Sequence, residues 1–151
     1  MVTASKCLID TNILLRISRQ NDPQHQLIGA TLEELETRGT ELCFTLQNIA
    51  EFWNVCTRPA ERNGYGLSIS ETTRRVESIE RAMTYLPENE HVYSIWRQLV
   101  VANSVHGVQV HDAHLVATMR AHGVTHILTL NQPDFQRYAN VQAIHPSQVR
   151  A

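Results

Sequence analysis

The stretch Cys7-Leu8-Ile9-Asp10-Thr11-Asn12 decides the fold, because an apolar run of three residues stops at an acidic residue and two polar ones. A short apolar run bounded in this way is typical of a buried strand. Asp10 then stands at the carboxyl end of that strand. The same pattern predicts further strands at residues 42–44, 108–110, 127–130 and 141–144.

Helical patterns separate these strands. Asp22-Pro23 provides a cap and a first-turn proline for one helix, which we expect to stop at Gly39. Thr45 is placed to cap a second helix, and Ser68 opens a third that we expect to end near Pro87. Further helices are predicted around residues 92–99 and 115–119.

Strands that alternate with helices predict right-handed crossovers and a parallel sheet. Such a sheet is covered by helices on both faces. We therefore expect an α/β fold with three layers, α/β/α, and a central, mostly parallel sheet of four or five strands. The length of 151 residues fits one domain over positions 1–151.

Composition and charge exclude several classes of protein. With 42% hydrophobic and 19% charged residues, the chain is typical of globular rather than disordered or fibrous proteins. The formal net charge of −2 excludes a simple cationic coat for nucleic acid, but not a nucleic-acid enzyme that binds metal. No stretch approaches the ~18 apolar residues of a membrane span. The three cysteines form no CxxC pair. We expect a cytoplasmic protein that does not bind membranes.

Acidic and amide side chains follow three of the predicted strands. They are Asp10-Thr11-Asn12 after the first strand, His111-Asp112 after the third, and Asn131 and Asp134 after the fourth. Because the carboxyl ends of parallel strands meet at one edge of the sheet, these side chains are expected to converge. Carboxylates held close together raise one another's pKa unless a cation lies between them. An oxygen-only cluster of this kind suits Mg²⁺ or Mn²⁺.

These residues also have purely structural interpretations. Asp10 can simply cap the helix that follows it. Asp112 heads an apolar helical stripe and is either a cap or an inward-facing acid that needs a partner. Asp134 can cap the short segment 135–138. Glu51 shares one helix side with Asn48, opposite the apolar stripe, and that side is by default a solvated face.

Four stretches of the chain occur in a recognisable order. They are Leu8-Ile-Asp-Thr-Asn-Ile-Leu-Leu15, Asn48-Ile-Ala-Glu-Phe-Trp-Asn54, Val110-His-Asp-Ala-His-Leu-Val-Ala117 and Ile127-Leu-Thr-Leu-Asn-Gln-Pro-Asp-Phe135. In this order, and with these strand and helix contexts, they resemble the PIN domain family and, within it, the VapC-type toxins of bacterial toxin–antitoxin pairs. The resemblance implies a PIN-like fold with the three layers expected above.

The resemblance also implies a metal-dependent endoribonuclease that hydrolyses RNA with a water activated by Mg²⁺, or by Mn²⁺ as a substitute. Asp10, Glu51 and Asp112 match the acidic triad of the family, which places Glu51 in the pocket. Asn131 stands where many members have Asp, so we expect Asp134 to supply the fourth charge. The predicted catalytic and metal-binding residues are thus Asp10, Glu51, Asp112 and Asp134, and the predicted orienting residues are Thr11, Asn12 and Asn131.

An antitoxin protein and a homodimer are further implications of the resemblance. Two alternatives stay open: an RNA-processing nuclease of this fold outside a toxin–antitoxin pair, and a binding module of this fold that has lost catalysis. A response-regulator receiver and a haloacid-dehalogenase-like phosphatase fit less well. The first needs an adjacent acidic pair after the first strand, the second needs a DxD motif, and both need a late lysine, whereas the only lysine here is Lys6.

Overall fold

The computed structural model describes residues 5–149. The strands in this range are β1 Lys6–Ile9, β2 Glu41–Phe44, β3 Thr84–Tyr85, β4 His126–Leu128 and β5 Gln142–Ile144. The helices are α1 Thr11–Ile17, α2 His25–Thr37, α3 Leu46–Thr57, α4 Ile69–Ala82, α5 Val92–Ala102 and α6 Val110–Ala121. The expectation of one domain over 1–151 includes positions 1–4 and 150–151, which lie outside the described residues, and stays a prediction.

The five strands described form one sheet in the order β3-β2-β1-β4-β5, and each pair of neighbours is parallel. β1 is the central strand: Leu8 pairs with Cys43 of β2 on one side and with Ile127 of β4 on the other. The expected parallel sheet is therefore confirmed. Its carboxyl edge gathers the residues that follow β1 and β4.

Successive residues of β1 bury their side chains on opposite faces of the sheet. Ile9 belongs to an apolar cluster with residues of α1, α2, α3 and α4, including Phe52. Leu8 belongs to a second cluster with residues of α5 and α6, including Val116. Helices thus cover both faces, as parallel sheets require, and the expected α/β/α layers are confirmed. Among residues 5–149, no helix combines the length and the apolar character needed to cross a membrane.

The strand predicted at 108–110 is wrong. Gly107–Gln109 forms a 3₁₀ helix, and Val110 begins α6. Two β-branched residues at alternate positions mimic a strand, but the side chain of Val108 is 82% exposed and has no core to pack against. Gly107, at a φ of 56°, turns the chain directly into the helical segment.

Two predicted helix boundaries are also wrong. The helix opened by Ser68 stops at Ala82 rather than near Pro87, because β3 pairs with β2 in between. α2 begins at His25 rather than at Asp22-Pro23. Asp22 instead accepts the backbone N–H of Gln24 at 2.8 Å, which makes a turn ahead of the helix.

Candidate active site

Asp10 lies at the carboxyl end of β1 and is held at both carboxylate oxygens. Oδ1 accepts the backbone N–H of Thr11 at 2.8 Å, and Oδ2 accepts the hydroxyl of Thr129 at 2.7 Å. The backbone N–H of Asp10 donates to the carbonyl of Leu128 at 3.0 Å, which ties it to β4. Asp10 is also the N-cap of α1, as the structural interpretation expected. The cap contact uses Oδ1 and fixes the direction of the buried carboxylate.

The sequence reasoning missed Thr129. Its hydroxyl donates to Asp10, accepts the backbone N–H of Asn131 at 3.0 Å and accepts the side-chain amide of Asn12 at 3.4 Å. Thr129 is fully buried, so this hydroxyl has no water to bond instead. A hydroxyl inside the otherwise apolar run 127–130 is the signal that could have revealed it.

Thr11 connects α1 to Glu51 on α3. The Thr11 hydroxyl donates to Glu51 Oε1 at 2.9 Å and accepts Asn48 Nδ2 at 3.1 Å. Asn48 Oδ1 in turn accepts the backbone N–H of Thr45 at 2.9 Å. The solvated face predicted for this side of α3 is wrong for Asn48, which is fully buried. The buried amide, one turn before Glu51, sets that helix side against Thr11 at the carboxyl end of β1.

Asn12 and Asn131 lie at the rim of the same region. Asn12 Oδ1 accepts the backbone N–H of Leu130 at 3.3 Å, and its amide approaches Asp10 Oδ2 at 3.4 Å. Asn131 is exposed and precedes the 3₁₀ helix Gln132–Phe135 as its N-cap residue, without a side-chain cap bond. The orienting roles of Thr11, Asn12 and Asn131 stay predictions.

Asp112 is the third residue of α6 and does not follow a strand. Gln109 holds the N-cap position, so the cap interpretation of Asp112 is wrong. The side chain is half-buried. Burial, followed by the charges of Asp134, Asp10 and Glu51, raises the pKa of Asp112 to about 6. The charges of three other carboxylates therefore act on Asp112, and the positive charge of Arg137 offsets only part of their effect.

Asp134 lies within the 3₁₀ helix Gln132–Phe135 and is exposed. Because that helix starts before Asp134, the interpretation of Asp134 as a cap for segment 135–138 is wrong. Its charge acts on the pKa of both Asp112 and Asp10. Burial raises the pKa of Asp10, and the charges of Glu51 and Asp134 add to this, against the hydrogen bonds from Thr129 and Thr11.

We call these four acidic residues, Asp10, Glu51, Asp112 and Asp134, the carboxylate cluster. Burial is the main cause of the raised pKa values of Asp10 and Asp112, and the mutual repulsion of the carboxylates adds to it. Oxygen ligands with such charge suit a hard divalent cation such as Mg²⁺. Within residues 5–149, however, no three His, Cys, Asp or Glu side chains are arranged to hold one ion together. The cluster thus fits a metal by its chemistry and requires side-chain movement to bind one.

Several solved structures share this fold. VapBC2 from Rickettsia felis, bound to a DNA fragment from its promoter, is 12% identical, with a TM-score of 0.69 over 93% of this chain and 98% of that chain. VapBC-1 from nontypeable Haemophilus influenzae is 16% identical, with a TM-score of 0.68 over 94% of this chain and 98% of that chain.

A third structure, VapC20 from Mycobacterium tuberculosis, is described as a toxin that cleaves the sarcin–ricin loop. It is 15% identical, with a TM-score of 0.57 over 80% of this chain and 86% of that chain. No curated protein sequence matches the chain. Because these sequence identities are low, the solved structures show only that the fold is shared. The sequence profile of the PIN domain, by contrast, matches residues 7–141, which is most of the chain. The chain therefore belongs to the PIN domain family.

Proposed function

We propose that the chain is a metal-dependent endoribonuclease and the toxin of a type II toxin–antitoxin pair. The observation that carries the proposal is the carboxylate cluster: in addition to burial, the charges of its other three members raise the pKa of Asp112. RNA as the substrate is supported by the fold shared with VapC20, a toxin that cleaves the sarcin–ricin loop.

Asp10, Glu51, Asp112 and Asp134 are the residues that would hold Mg²⁺, or Mn²⁺ in its place. Such an ion supplies positive charge to the scissile phosphate and lowers the pKa of a bound water. Without a cation, the cluster repels the anionic backbone of RNA.

In the described part of the chain, two of the four carboxylates are held by hydrogen bonds, and the other two are not. Asp10 is fixed by Thr129 and by the N–H of Thr11, and Glu51 by the hydroxyl of Thr11. No hydrogen bond within residues 5–149 restrains the carboxylates of Asp112 and Asp134. These two side chains can turn toward a shared ion, which accounts for a site that is not assembled beforehand.

RNA cleavage tests the proposal. We expect the folded chain to cleave RNA with Mg²⁺ and to lose this activity in EDTA. Asp10→Asn removes one charge and keeps the shape, so cleavage should fall to background while the circular dichroism spectrum stays unchanged. Asp22→Asn is the matched control, because Asp22 pairs with Arg16 away from the cluster. An Asp10→Asn variant that cleaves RNA at the wild-type rate would contradict the proposed site.

Calorimetric titration with Mg²⁺ gives a readout that does not depend on cleavage. The wild-type chain should bind the ion, and Asp10→Asn should bind it more weakly, since a carboxylate ligand is replaced by a neutral amide. Equal binding by the two proteins would place the metal elsewhere.

An apolar groove between α1, α2 and α4 supports the antitoxin partner. Its volume is about 370 Å³. Its apolar lining residues include Leu14, Ile17, Leu32, Ile79 and Met83. Solved structures that share the fold include a toxin–antitoxin complex and a member of the VapBC family of toxin–antitoxin systems. We propose that the antitoxin lays apolar side chains in this groove and offers a basic residue to the carboxylate cluster.

Co-expression tests this partner. The product of the neighbouring open reading frame should co-purify with the chain and stop RNA cleavage. Ile17→Glu places a charge in the groove and should abolish co-purification without lowering cleavage by the isolated chain. If the neighbouring product does not bind and the host grows normally, a nuclease outside a toxin–antitoxin pair becomes the better assignment.

The predicted homodimer is supported by large apolar side chains at the surface. Tyr93 is 69% exposed and Val108 is 82% exposed. Tyr93 lines a surface pocket together with Val92, Trp96 and Val110 of α5 and α6, and contiguous apolar surface of this kind commonly marks a protein contact. Light scattering on the purified chain should give twice the monomer mass, and a monomer at micromolar concentration would contradict the proposal.

A further inference from the structure

We infer that Arg137 binds a phosphate of the RNA chain at the rim of the carboxylate cluster, next to the bond that is cut. The inference rests on the proposed function and adds a substrate-binding residue to it. The binding group is a guanidinium and not one of the carboxylates. It lies between two of the segments that carry acidic residues.

The first observation is the position of Arg137. It lies three residues after Asp134, just beyond the 3₁₀ helix Gln132–Phe135. Its Nη2 donates to Oε1 of Gln109 at 2.9 Å. Gln109 directly precedes α6 and stands three residues before Asp112. Arg137 therefore bridges the segments that carry Asp134 and Asp112, and Gln109 fixes the direction of its guanidinium.

The second observation is the charge around it. Arg137 stands three residues after Asp134, and its partner Gln109 stands three residues before Asp112, so the hydrogen bond of 2.9 Å holds a positive charge beside the segments of both carboxylates. Arg137 makes no ion pair of its own within residues 5–149, in contrast to Arg16, which pairs with Asp22, and Arg75, which pairs with Glu71. Arg137 is exposed. Most of its five N–H donors are thus available to a ligand.

The chemistry of the ligand follows from this environment. A guanidinium presents parallel N–H groups that match two oxygens of a phosphate. The carboxylate cluster repels the phosphates of an approaching RNA. A fixed positive charge at the rim of the cluster offsets part of this repulsion. An anion with oxygens spaced as in a phosphodiester is therefore the ligand that suits this position best.

A competing role is purely structural, because the bond from Arg137 to Gln109 also braces the start of α6. The two roles differ in what Gln109→Ala does. This variant removes the brace and keeps the charge. If the bond is only a brace, Gln109→Ala and Arg137→Ala should impair RNA cleavage equally. If Arg137 contacts a phosphate, Gln109→Ala should impair cleavage much less than Arg137→Ala.

The experiment measures cleavage of a labelled single-stranded RNA of mixed sequence by the full chain with Mg²⁺, at several salt concentrations. Arg137→Ala should raise KM about tenfold and leave kcat nearly unchanged, since one charge-assisted contact is lost. Arg137→Lys should bring KM part of the way back to the wild-type value, because lysine keeps the positive charge but lacks the paired N–H groups of the guanidinium. Arg120→Ala is the matched control: Arg120 is also exposed and donates to the carbonyl of Ala139 at 2.7 Å, near the other end of α6.

Binding of the same RNA to an Asp10→Asn background separates affinity from catalysis. Adding Arg137→Ala should reduce the slope of log affinity against log salt by about 0.7, the value for one phosphate contact on a single strand. An unchanged slope, or a Gln109→Ala variant as impaired as Arg137→Ala, would overturn the inference while the proposed function stands. A folded wild-type chain that does not cleave RNA with Mg²⁺ would refute the proposed function, and this inference with it.

Discussion

Asp112→Asn should make the folded chain more stable at neutral pH, although it removes a residue of the candidate active site. The pKa of Asp112 is about 6 in the folded chain, against an ordinary value of 3.8. A shift of about two units corresponds to about 3 kcal/mol. Because the side chain is only half-buried, solvent screening reduces this to about 1–2 kcal/mol.

Asp112 lies in the first turn of α6, where the helix dipole favours a negative charge. The folded-state pKa already includes this favourable interaction, so it is not subtracted again. The net gain from Asp112→Asn is therefore about 1–2 kcal/mol at neutral pH. For a chain of this size it corresponds to a rise in Tm of about 2–8 °C.

The dependence on pH has a definite sign. Since the folded-state pKa of Asp112 is raised, its contribution to stability is fully present below pH 3.8 and is lost as the pH rises to about 6. The wild-type chain should thus lose stability across this window relative to Asp112→Asn. Added Mg²⁺ should restore part of the loss to the wild-type chain, because a ligand of the folded state stabilises it.

Urea unfolding of both proteins at neutral pH and at about pH 4.5 measures these differences. Asp22→Asn is the control with the opposite expected sign. Burial raises the pKa of Asp22, but the N–H of Gln24 and the guanidinium of Arg16 outweigh it and lower the pKa, so removing this charge should destabilise the chain at neutral pH. If Asp112→Asn is the less stable protein at neutral pH, the chain itself already neutralises Asp112, and the argument for an uncompensated cluster fails.

Three further substitutions test the surroundings of the cluster. Thr129→Val removes the hydrogen bond to Asp10 and should slow RNA cleavage about 10–100-fold, and Thr129→Ser should restore most of it; equal rates for all three proteins would show that the hydroxyl is dispensable. Asn48→Ala leaves the Thr11 hydroxyl and the N-terminus of α3 without a buried partner, so thermal unfolding should reveal a loss of about 2 kcal/mol, and an unchanged Tm would contradict this. Asp134→Asn should require more Mg²⁺ for half-maximal cleavage, whereas a titration curve like that of the wild type would mean that the fourth charge is not needed.

The sequence predicted the central part of the fold because apolar runs bounded by polar residues are local signals. β1, β2, β4 and β5 all begin or end within two residues of the predicted runs. β3 escaped prediction because Thr84 and Tyr85 are both exposed and carry no burial pattern. The error at 108–110 has the opposite cause: a strand-like pattern of side chains occurs where the chain has no sheet neighbour.

The candidate site was predicted unevenly for a similar reason. Asp10 follows a strand directly, so its position could be inferred from neighbouring residues. The partners that orient it and Glu51 are distant in sequence: Thr129 contacts Asp10 across 119 residues, and Asn48 contacts Thr11 across 37. Hydrogen bonds of this range depend on the packing of whole elements and leave no trace in local periodicity.

The central place of β1 has a consequence for amide hydrogen exchange. Asp10 follows the strand that pairs with β2 on one side and β4 on the other, and its own N–H donates to Leu128. Amides in this position exchange only when the whole sheet opens. Asp134 lies in an exposed 3₁₀ turn. The backbone N–H of Asp134 donates to the carbonyl of Asn131 and can exchange by local fraying. The amide of Asp10 should therefore be protected for as long as the domain is folded, while the amide of Asp134 exchanges orders of magnitude faster and slows only when a bound ion joins the two residues.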